Sequence, residues 1–524
     1  MNYGQIHLFY TLPVLSLLIF ATYPIFQIDP HRTLYPLILL CIISFVYTTP
    51  WDNYLILKGG WSYPEGSVLG LIGYCPIEEY AFFIIQTCLT GSLWTLIRWF
   101  TISVPLANIT RHPNGKLMTL SALAMATVIG WKIAIPYTTT FYLGMILFWA
   151  CPVLILQLLV AYDYIANSIR SVGFTVLIPT LYLWYVDTIA IESGAWAISK
   201  ESIVGYSLNK HLPIEEALFF LITNCMVVFG LIAIERTYSI LEAKNVDTIN
   251  TRTLFENTIC DEFQIPQKEL LDLLECYNIT RNASSSFFLS TLFLPVGTRY
   301  KFWKLYAFAR VTDDMIDHAK SDQERIEQLT IIQDFLDTKV VHDEQPSFRA
   351  LLTLRVPMEL IQSLIDGFKL DSNPTSFETD KQLLQYCHHV ASSIGALSVH
   401  LFSCPHLQKE AETLGLALQL INIARDVKED FLDNGRVYLI GITKNDVLSW
   451  ISNEQKSRVD ESIDWCLNTS EKLMEDNHVI DAMNQLSVKF QRATLAAYVM
   501  YNDINIRIRS GMESDKSDYK NRVM

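Results

Sequence analysis

Seven apolar stretches of membrane-crossing length fall within the first 240 residues, near 8–26, 34–49, 68–97, 117–135, 141–165, 173–191 and 213–235. Backbone polar groups in hydrocarbon must be satisfied within their own segment, so each stretch is expected to be a helix. The rest of the chain differs in kind. Residues 1–240 carry 10 Lys/Arg and 12 Asp/Glu, net −2, whereas residues 241–524 carry 30 and 42, net −12. The second part reads as a soluble protein, helical nearly throughout and poor in Gly. The expected organisation is therefore all-α. A polytopic helical membrane domain over 1–240 is joined by a polar linker, 241–254, to a helical domain over 255–510, with a disordered tail over 511–524.

Composition also excludes some classes. The ten cysteines are scattered, with no C-x-x-C pair and no Cys/His run, so neither a disulfide framework nor a structural zinc site is expected. The acidic balance, without a basic stripe, argues against nucleic acid. The N-terminus has no basic n-region and no small-residue cleavage site, so its apolar segment reads as a retained span.

Placing the N-terminus on the non-cytoplasmic side puts Arg32, Arg98, Arg111, Lys116, Arg170 and Arg236 in cytoplasmic loops, while the opposite loops hold Lys58, Lys200 and Lys210. The positive-inside rule favours that orientation, with the second domain cytoplasmic. Residues Asn108, Asn278, Asn282 and Asn468 begin N-x-Ser/Thr sequons, all on the cytoplasmic side of this arrangement. An endomembrane setting is the expected location.

One acidic signature occurs twice in the apolar part: Pro76-Ile77-Glu78-Glu79 before Tyr80-Ala81-Phe82-Phe83, and Pro213-Ile214-Glu215-Glu216 before Ala217-Leu218-Phe219-Phe220. An ionised acid at the bilayer centre costs roughly 2.5–3.5 kcal/mol on insertion scales, so adjacent pairs need a reason. Asp52 and Trp61 precede the first copy as Asp187 and Trp196 precede the second, at an offset of 135, and Glu78 and Glu215 stand 137 apart. The repeat is thus about three helices long. Three is odd, and the helix near 117–135 acts as a spacer that restores the orientation, so both pairs lie toward the same, non-cytoplasmic side. A lone pair after Pro would serve as a helix-start cap. Two parallel copies, each preceded by an Asp, point instead to chemistry, with Asp52 and Asp187 in structural or orienting roles. The phenylalanines after each pair read first as packing, and their faces are also suited to a cation.

A second acidic constellation lies in the soluble part. Asp313 and Asp317 share a helical face, and Asn422, Asp426 and Asp430 follow at i, i+4, i+8. Each stripe sits in apolar helix beside an arginine, Arg310 or Arg425. Oxygen ligands in two stripes suit Mg²⁺ (or Mn²⁺) bridging to a diphosphate, with the arginines neutralising phosphate oxygens. No G-x-G-x-x-G follows a strand, so a flavin or nicotinamide bound in the Rossmann manner has no support.

These motifs carry a resemblance. Residues 255–510 resemble the squalene/phytoene synthase group of head-to-head prenyl transferases, through the two aspartate motifs and through Ser284-Ser285-Ser286-Phe287-Phe288 with Leu294-Pro295, Asp366-Gly367-Phe368 with Asp371, Tyr386-Cys387 with Val390-Ala391 and Gly395, and Gly435-Arg436-Val437-Tyr438-Leu439. The membrane half resembles the fungal and archaeal type of lycopene β-cyclase. Together, in this order, the halves resemble the fungal family of bifunctional lycopene cyclase/phytoene synthases. Where that family continues Gly-Arg-x-Tyr-Leu with Pro, this chain has Ile440, and its segment before Asp366 is short.

The resemblance implies an isoprenoid-synthase-type helical domain that joins two geranylgeranyl diphosphates to phytoene. Asp313, Asp317, Asn422, Asp426 and Asp430 would hold the metal, and Arg310, Gln419, Asn422, Arg425 and Tyr386 would bind substrate. It implies a membrane domain that cyclises lycopene by proton transfer, with Glu78 and Glu215 at the proton-transfer site and Glu79 and Glu216 as their partners. The sequence leaves open which Glu faces the substrate, and whether the two copies build one site or two. Implied partners are membrane lipid and a phytoene desaturase, since desaturation separates the two reactions. Two rival readings are a squalene-type reductive prenyl transferase on a passive anchor and a seven-helix transporter or receptor fused to an enzyme.

Overall fold

The computed structural model describes residues 1–100, 112–243, 267–341, 345–371, 377–453 and 458–511. The predicted linker beyond residue 243, the tail beyond residue 511 and Asn108 lie outside the described residues. The chain divides into two compact units, Met1–Gln267 and Lys268–Met524.

Among the described residues, the first unit holds seven helices long and apolar enough to cross a membrane: α1 (Tyr3–Ile28), α2 (Leu34–Leu57), α3 (Ile77–Phe100), α4 (Pro113–Ile133), α5 (Phe141–Asn167), α6 (Ile169–Glu192) and α7 (Ile214–Ala243). One predicted boundary needs correction. The third span does not begin near residue 68, because Gly66 and Gly73 adopt left-handed φ of +76° and +69° and break the helix. The segment forms instead a short hairpin of β2 (Leu71–Ile72) and β3 (Cys75–Pro76), and α3 starts after Pro76.

The internal repeat is a structural one. Helices α1–α3 and α5–α7 are equivalent three-helix sets, and α4 is the spacer between them. Gly59 and Gly194, 135 residues apart, both follow a helix end in left-handed conformation, with φ of +73° and +74°. Two-residue strands β1 (Trp61–Ser62) and β4 (Ala197–Ile198) then pair antiparallel and stitch one repeat to the other. Along α3 and α7, residues 137 apart meet directly: Gln86 Nε2 donates to Thr223 Oγ1 at 2.6 Å, and the Arg98 guanidinium donates to Glu235 Oε1 at 2.7 Å. Contacts between equivalent positions three turns apart require the two helices to run parallel at equal height. Both acidic pairs therefore stand at the same end of the bundle. The spacer α4 packs against α5 at a close approach of two glycines: a Cβ on Gly144 would lie 2.5 Å from the Ala134 nitrogen, and one on Gly130 would lie 2.7 Å from the Phe148 nitrogen.

The second unit consists of helices and their connecting loops, with no strand among its described residues. Two of its long helices, Val296–Asp317 and Gln408–Asn434, carry the two acidic stripes in their C-terminal halves. The segment Asp380–Leu401 lies against the second of them with no room for a side chain. A Cβ on Gly395 would fall 2.1 Å from the Ala411 oxygen, and one on Gly415 would fall 2.5 Å from the Ala391 oxygen. Two apolar cores flank these helices, one around Phe308, Phe335 and Phe348 and one around Leu383, Leu420 and Leu467.

Candidate active sites

In the first unit, each acidic pair occupies an opening helical turn, where backbone N–H groups lack intrahelical partners and negative charge is favoured. Neighbouring residues on a helix point about 100° apart, so the two members of a pair meet different surroundings. Glu78 and Glu215 point to the preceding loops and are buried there. Glu78 Oε1 accepts the Leu69 N–H and Glu215 Oε1 the Val204 N–H, both at 2.7 Å. These two carboxyls tie the long loops to the helix starts.

Glu79 and Glu216 instead line one shared cavity of about 40 Å³. Glu79 Oε2 accepts the Tyr3 hydroxyl at 2.6 Å and the Tyr63 hydroxyl at 3.3 Å, and Glu216 Oε1 accepts the Tyr142 hydroxyl at 3.1 Å. Tyr3 and Tyr142 each sit in the first turn of the first helix of their own repeat. Trp61, Trp196, Phe82, Phe219, Phe220 and Asp187 also face the cavity. Phe83 does not, and packs with Cys75 and Tyr80. His7 closes one side. Its Nε2 lies 3.1 Å from the Glu78 carbonyl, which can only accept, so that nitrogen carries the hydrogen, and Nδ1 lies 3.0 Å from Thr11 Oγ1. The structure thus brings Glu79 and Glu216 together and leaves Glu78 and Glu215 off the cavity wall. Sequence reasoning missed Tyr3, His7, Tyr63 and Tyr142, which stand alone in the chain with no motif to mark them. Carboxyls in a small aromatic-lined cavity can give and take protons, and the ring faces can stabilise a cation.

In the second unit, a cavity of about 850 Å³ runs along the two long helices. Their apolar first halves contribute Phe302, Leu305, Leu414 and Leu418, and their second halves Asp313, Asp317, Asn422, Asp426 and Asp430. Arg310, Gln419, Arg425 and Tyr386 line it as well, so every residue that the sequence singled out here faces one space.

Gly435, at φ +64°, ends the second helix in left-handed conformation and turns the chain. Arg436 then reaches back 119 residues to grip Asp317 at 2.5 and 3.0 Å. Arg425 makes a similar fork with Asp426 at 2.6 Å to each oxygen, and Arg310 pairs with Asp314 at 2.7 Å and stands 3.7 Å from Asp313. Asp371 accepts the hydroxyls of Tyr386 and Tyr438 at 3.0 and 2.9 Å. Arg436, Asp371 and Tyr438 belong to motifs that carry the family resemblance, yet only their placement in the cavity marks them as site residues. Asp366 pairs with Lys369. Burial pushes the Asp313 carboxyl up to about 7, with Asp317 adding to the effect and Arg310 opposing it. Burial also raises Asp371 to about 6, against the pull of Arg436 and the two tyrosines. Ile440 has a use that Pro could not fill: its N–H donates to Ser462 Oγ at 3.1 Å.

Among the described residues, no three His, Cys, Asp or Glu side chains already close on a common point. The donor set nonetheless fits a hard cation held partly by others' oxygens. All five side chains offer oxygen, and the Asn422 carbonyl oxygen is buried with no partner. Mg²⁺ sites commonly combine a few carboxylates with water and substrate phosphate.

Residues 280–518 match the squalene/phytoene synthase family. A protein of Blakeslea trispora named bifunctional lycopene cyclase/phytoene synthase is 33% identical, over 84% of this chain and 79% of its own. The chain belongs to that family. A bifunctional lycopene cyclase/phytoene synthase of Phycomyces blakesleeanus is 30% identical, over 84% of this chain and 80% of its own. A dehydrosqualene synthase of known structure is 26% identical, with 49% of this chain and 93% of that one covered at a TM-score of 0.42. The squalene/phytoene synthase match begins past α7, so in this bifunctional lycopene cyclase/phytoene synthase chain the seven apolar helices precede the synthase region.

Proposed function

We infer that the chain catalyses two reactions of carotenoid synthesis. The second unit condenses two geranylgeranyl diphosphates head-to-head to phytoene by way of prephytoene diphosphate, and the first unit cyclises lycopene to γ- and β-carotene. Beyond family membership, the reading of the first unit rests on one observation: Glu79 and Glu216, 137 residues apart, meet in a single cavity.

Cyclisation is an isomerisation. A carboxyl gives its proton to the terminal double bond of the polyene, the π pair of a second double bond closes the six-membered ring, and a carboxylate removes a ring proton to leave a new double bond. The proton count balances, and no oxidant is needed. Glu79 and Glu216 are the groups placed to give and take that proton. Their tyrosine donors hold the carboxyls in orientation, and Phe82, Phe219 and Phe220 shelter the cation from water. Glu78 and Glu215 act through the loops that they anchor.

In the synthase unit, breaking an allylic C–O bond puts charge on the departing diphosphate. Arg310 and Arg425 stand at the acidic end of the cavity to meet that charge. Asp313, Asp317, Asn422, Asp426 and Asp430 would hold Mg²⁺, which when bound supplies positive charge to the leaving diphosphate. The apolar halves of the two long helices keep water from the allylic cation. The helices α1–α7 would lie in an endomembrane with the N-terminus non-cytoplasmic and the synthase unit cytoplasmic. A separate phytoene desaturase would connect the two reactions.

Expression in a bacterial host that supplies geranylgeranyl diphosphate and a phytoene desaturase tests this reading. The intact chain should yield β-carotene, Glu79→Gln/Glu216→Gln should accumulate lycopene, and Asp313→Asn should make no carotenoid. Glu78→Gln/Glu215→Gln should keep part of its cyclisation. Unchanged β-carotene in the Glu79/Glu216 variant would overturn the cyclase assignment.

A further inference from the structure

The two repeats are alike, but their aspartates are not. Asp52 and Asp187 occupy equivalent positions near the ends of α2 and α6, and both are buried. Asp52 accepts the Cys75 thiol at 3.0 Å and stands off the cavity wall. In the second repeat the residue before the Pro-Ile-Glu-Glu run is Leu212 where the first has Cys75, so no thiol is available. Asp187, only 2% exposed, lines the cavity with Glu79 and Glu216. The Trp196 indole stands against its carboxyl, yet Oδ2 has no hydrogen-bond partner. Both aspartates are within electrostatic reach of the glutamates, so what separates them is place: Asp187 lines the cavity and Asp52 does not. A buried carboxyl oxygen without a partner is costly; Asp52 Oδ1, Glu78 Oε2 and Glu215 Oε2 share that condition off the cavity, and of these four carboxyls Asp187 is the one on the cavity wall.

Cyclisation leaves a bookkeeping problem that the two glutamates cannot solve alone. After one ring forms, the donor carboxyl has lost its proton and the acceptor holds one, so the proton must return before the next ring. We propose that Asp187 carries this proton between Glu79 and Glu216, while Asp52 is a structural group. The inference rests on the assignment of Glu79 and Glu216 as the proton-transfer pair. In each return step an O–H bond breaks on one carboxyl and another forms on its neighbour, with no redox change. Glu79 Oε2 already accepts two tyrosine hydroxyls and Glu216 Oε1 one, whereas Asp187 Oδ2 is uncommitted.

The test follows ring formation by rapid quench in the purified full chain with lycopene, comparing Asp187→Asn, Asp187→Glu, Asp52→Asn and Glu79→Gln/Glu216→Gln. Asp187→Asn should form about one ring per chain and then turn over roughly 100-fold more slowly, within the range of a lost proton-transfer group. Asp187→Glu should restore continuous turnover, which separates proton carriage from failure to fold. Asp52→Asn should retain continuous turnover. A uniformly slow, burst-free Asp187→Asn of parental thermal stability, or a stall shared by Asp52→Asn, would overturn the relay while leaving the glutamate pair in place. Rings formed by the Glu79/Glu216 variant would remove the underlying assignment instead.

Discussion

Asp313 has to give up a proton before it can hold a cation. Burial sets its carboxyl at about 7, so proton and metal compete across the neutral range. The apparent Mg²⁺ affinity of the synthase unit is expected to fall by up to about tenfold per pH unit below 7 and to level off above it. Metal titrations of phytoene formation between pH 6 and 8 check this, and a flat affinity would contradict it. The same raised value has the opposite sign for the metal-free fold. The neutral acid is the cheaper buried form, so its stabilising contribution is present at low pH and lost as pH rises to about 7. Thermal unfolding of the chelated protein should therefore weaken between about pH 4 and pH 7 and level off above, and added metal should offset the loss. Among the glutamates, the sequence could mark the pairs but not their rotation. Glu78 and Glu79 are chemically identical neighbours, and only the setting of the helix about its axis sends one to Leu69 and the other to the cavity.

Gly435 shows how a helix end can place a side chain. Its left-handed turn lets Arg436 swing onto Asp317, so Gly435→Ala should cost about 1 kcal/mol of stability and lower phytoene synthesis further than that loss explains. Arg436→Ala should lower it as much without the backbone strain. Thermal unfolding and product assays on the two variants separate these effects. Gly395 is constrained by packing instead: a methyl group there meets the Ala411 carbonyl at 2.1 Å. Gly395→Ala is expected to destabilise the synthase unit by about 1–3 kcal/mol, seen as a lowered Tm. Much at this scale was legible. Apolar runs marked all seven helices of the first unit, and repeat parity marked α4 as the spacer. The acidic stripes marked the two helices that face each other across the synthase cavity. The start of α3 was missed because the hairpin residues around Leu71 and Ile72 are as apolar as a helix, and only the backbone of Gly66 and Gly73 interrupts them. The Arg436–Asp317 fork was missed because 119 residues separate its partners, a closure that no local pattern encodes.

At the scale of the molecule, the residues proposed for each reaction lie within one unit. Chains bearing Glu79→Gln/Glu216→Gln and chains bearing Asp313→Asn, expressed together with a desaturase, should therefore restore β-carotene in trans. Extracts still rich in lycopene would mean that the halves must act within one chain. The orientation is testable through Asn278, Asn282 and Asn468, which should remain unglycosylated in an endomembrane, and a glycan on any of them would invert the arrangement. The fusion of two repeats around one cavity bears finally on kinetics. Lycopene has two identical ends joined by a long rigid polyene, and Glu79 and Glu216 gather in one place. If that cavity is the cyclisation site, the ends are served in succession, with the half-finished molecule leaving and returning reversed. Such an enzyme is distributive: with lycopene in excess, fresh substrate outcompetes the monocyclic product, γ-carotene accumulates first, and β-carotene appears only after a lag.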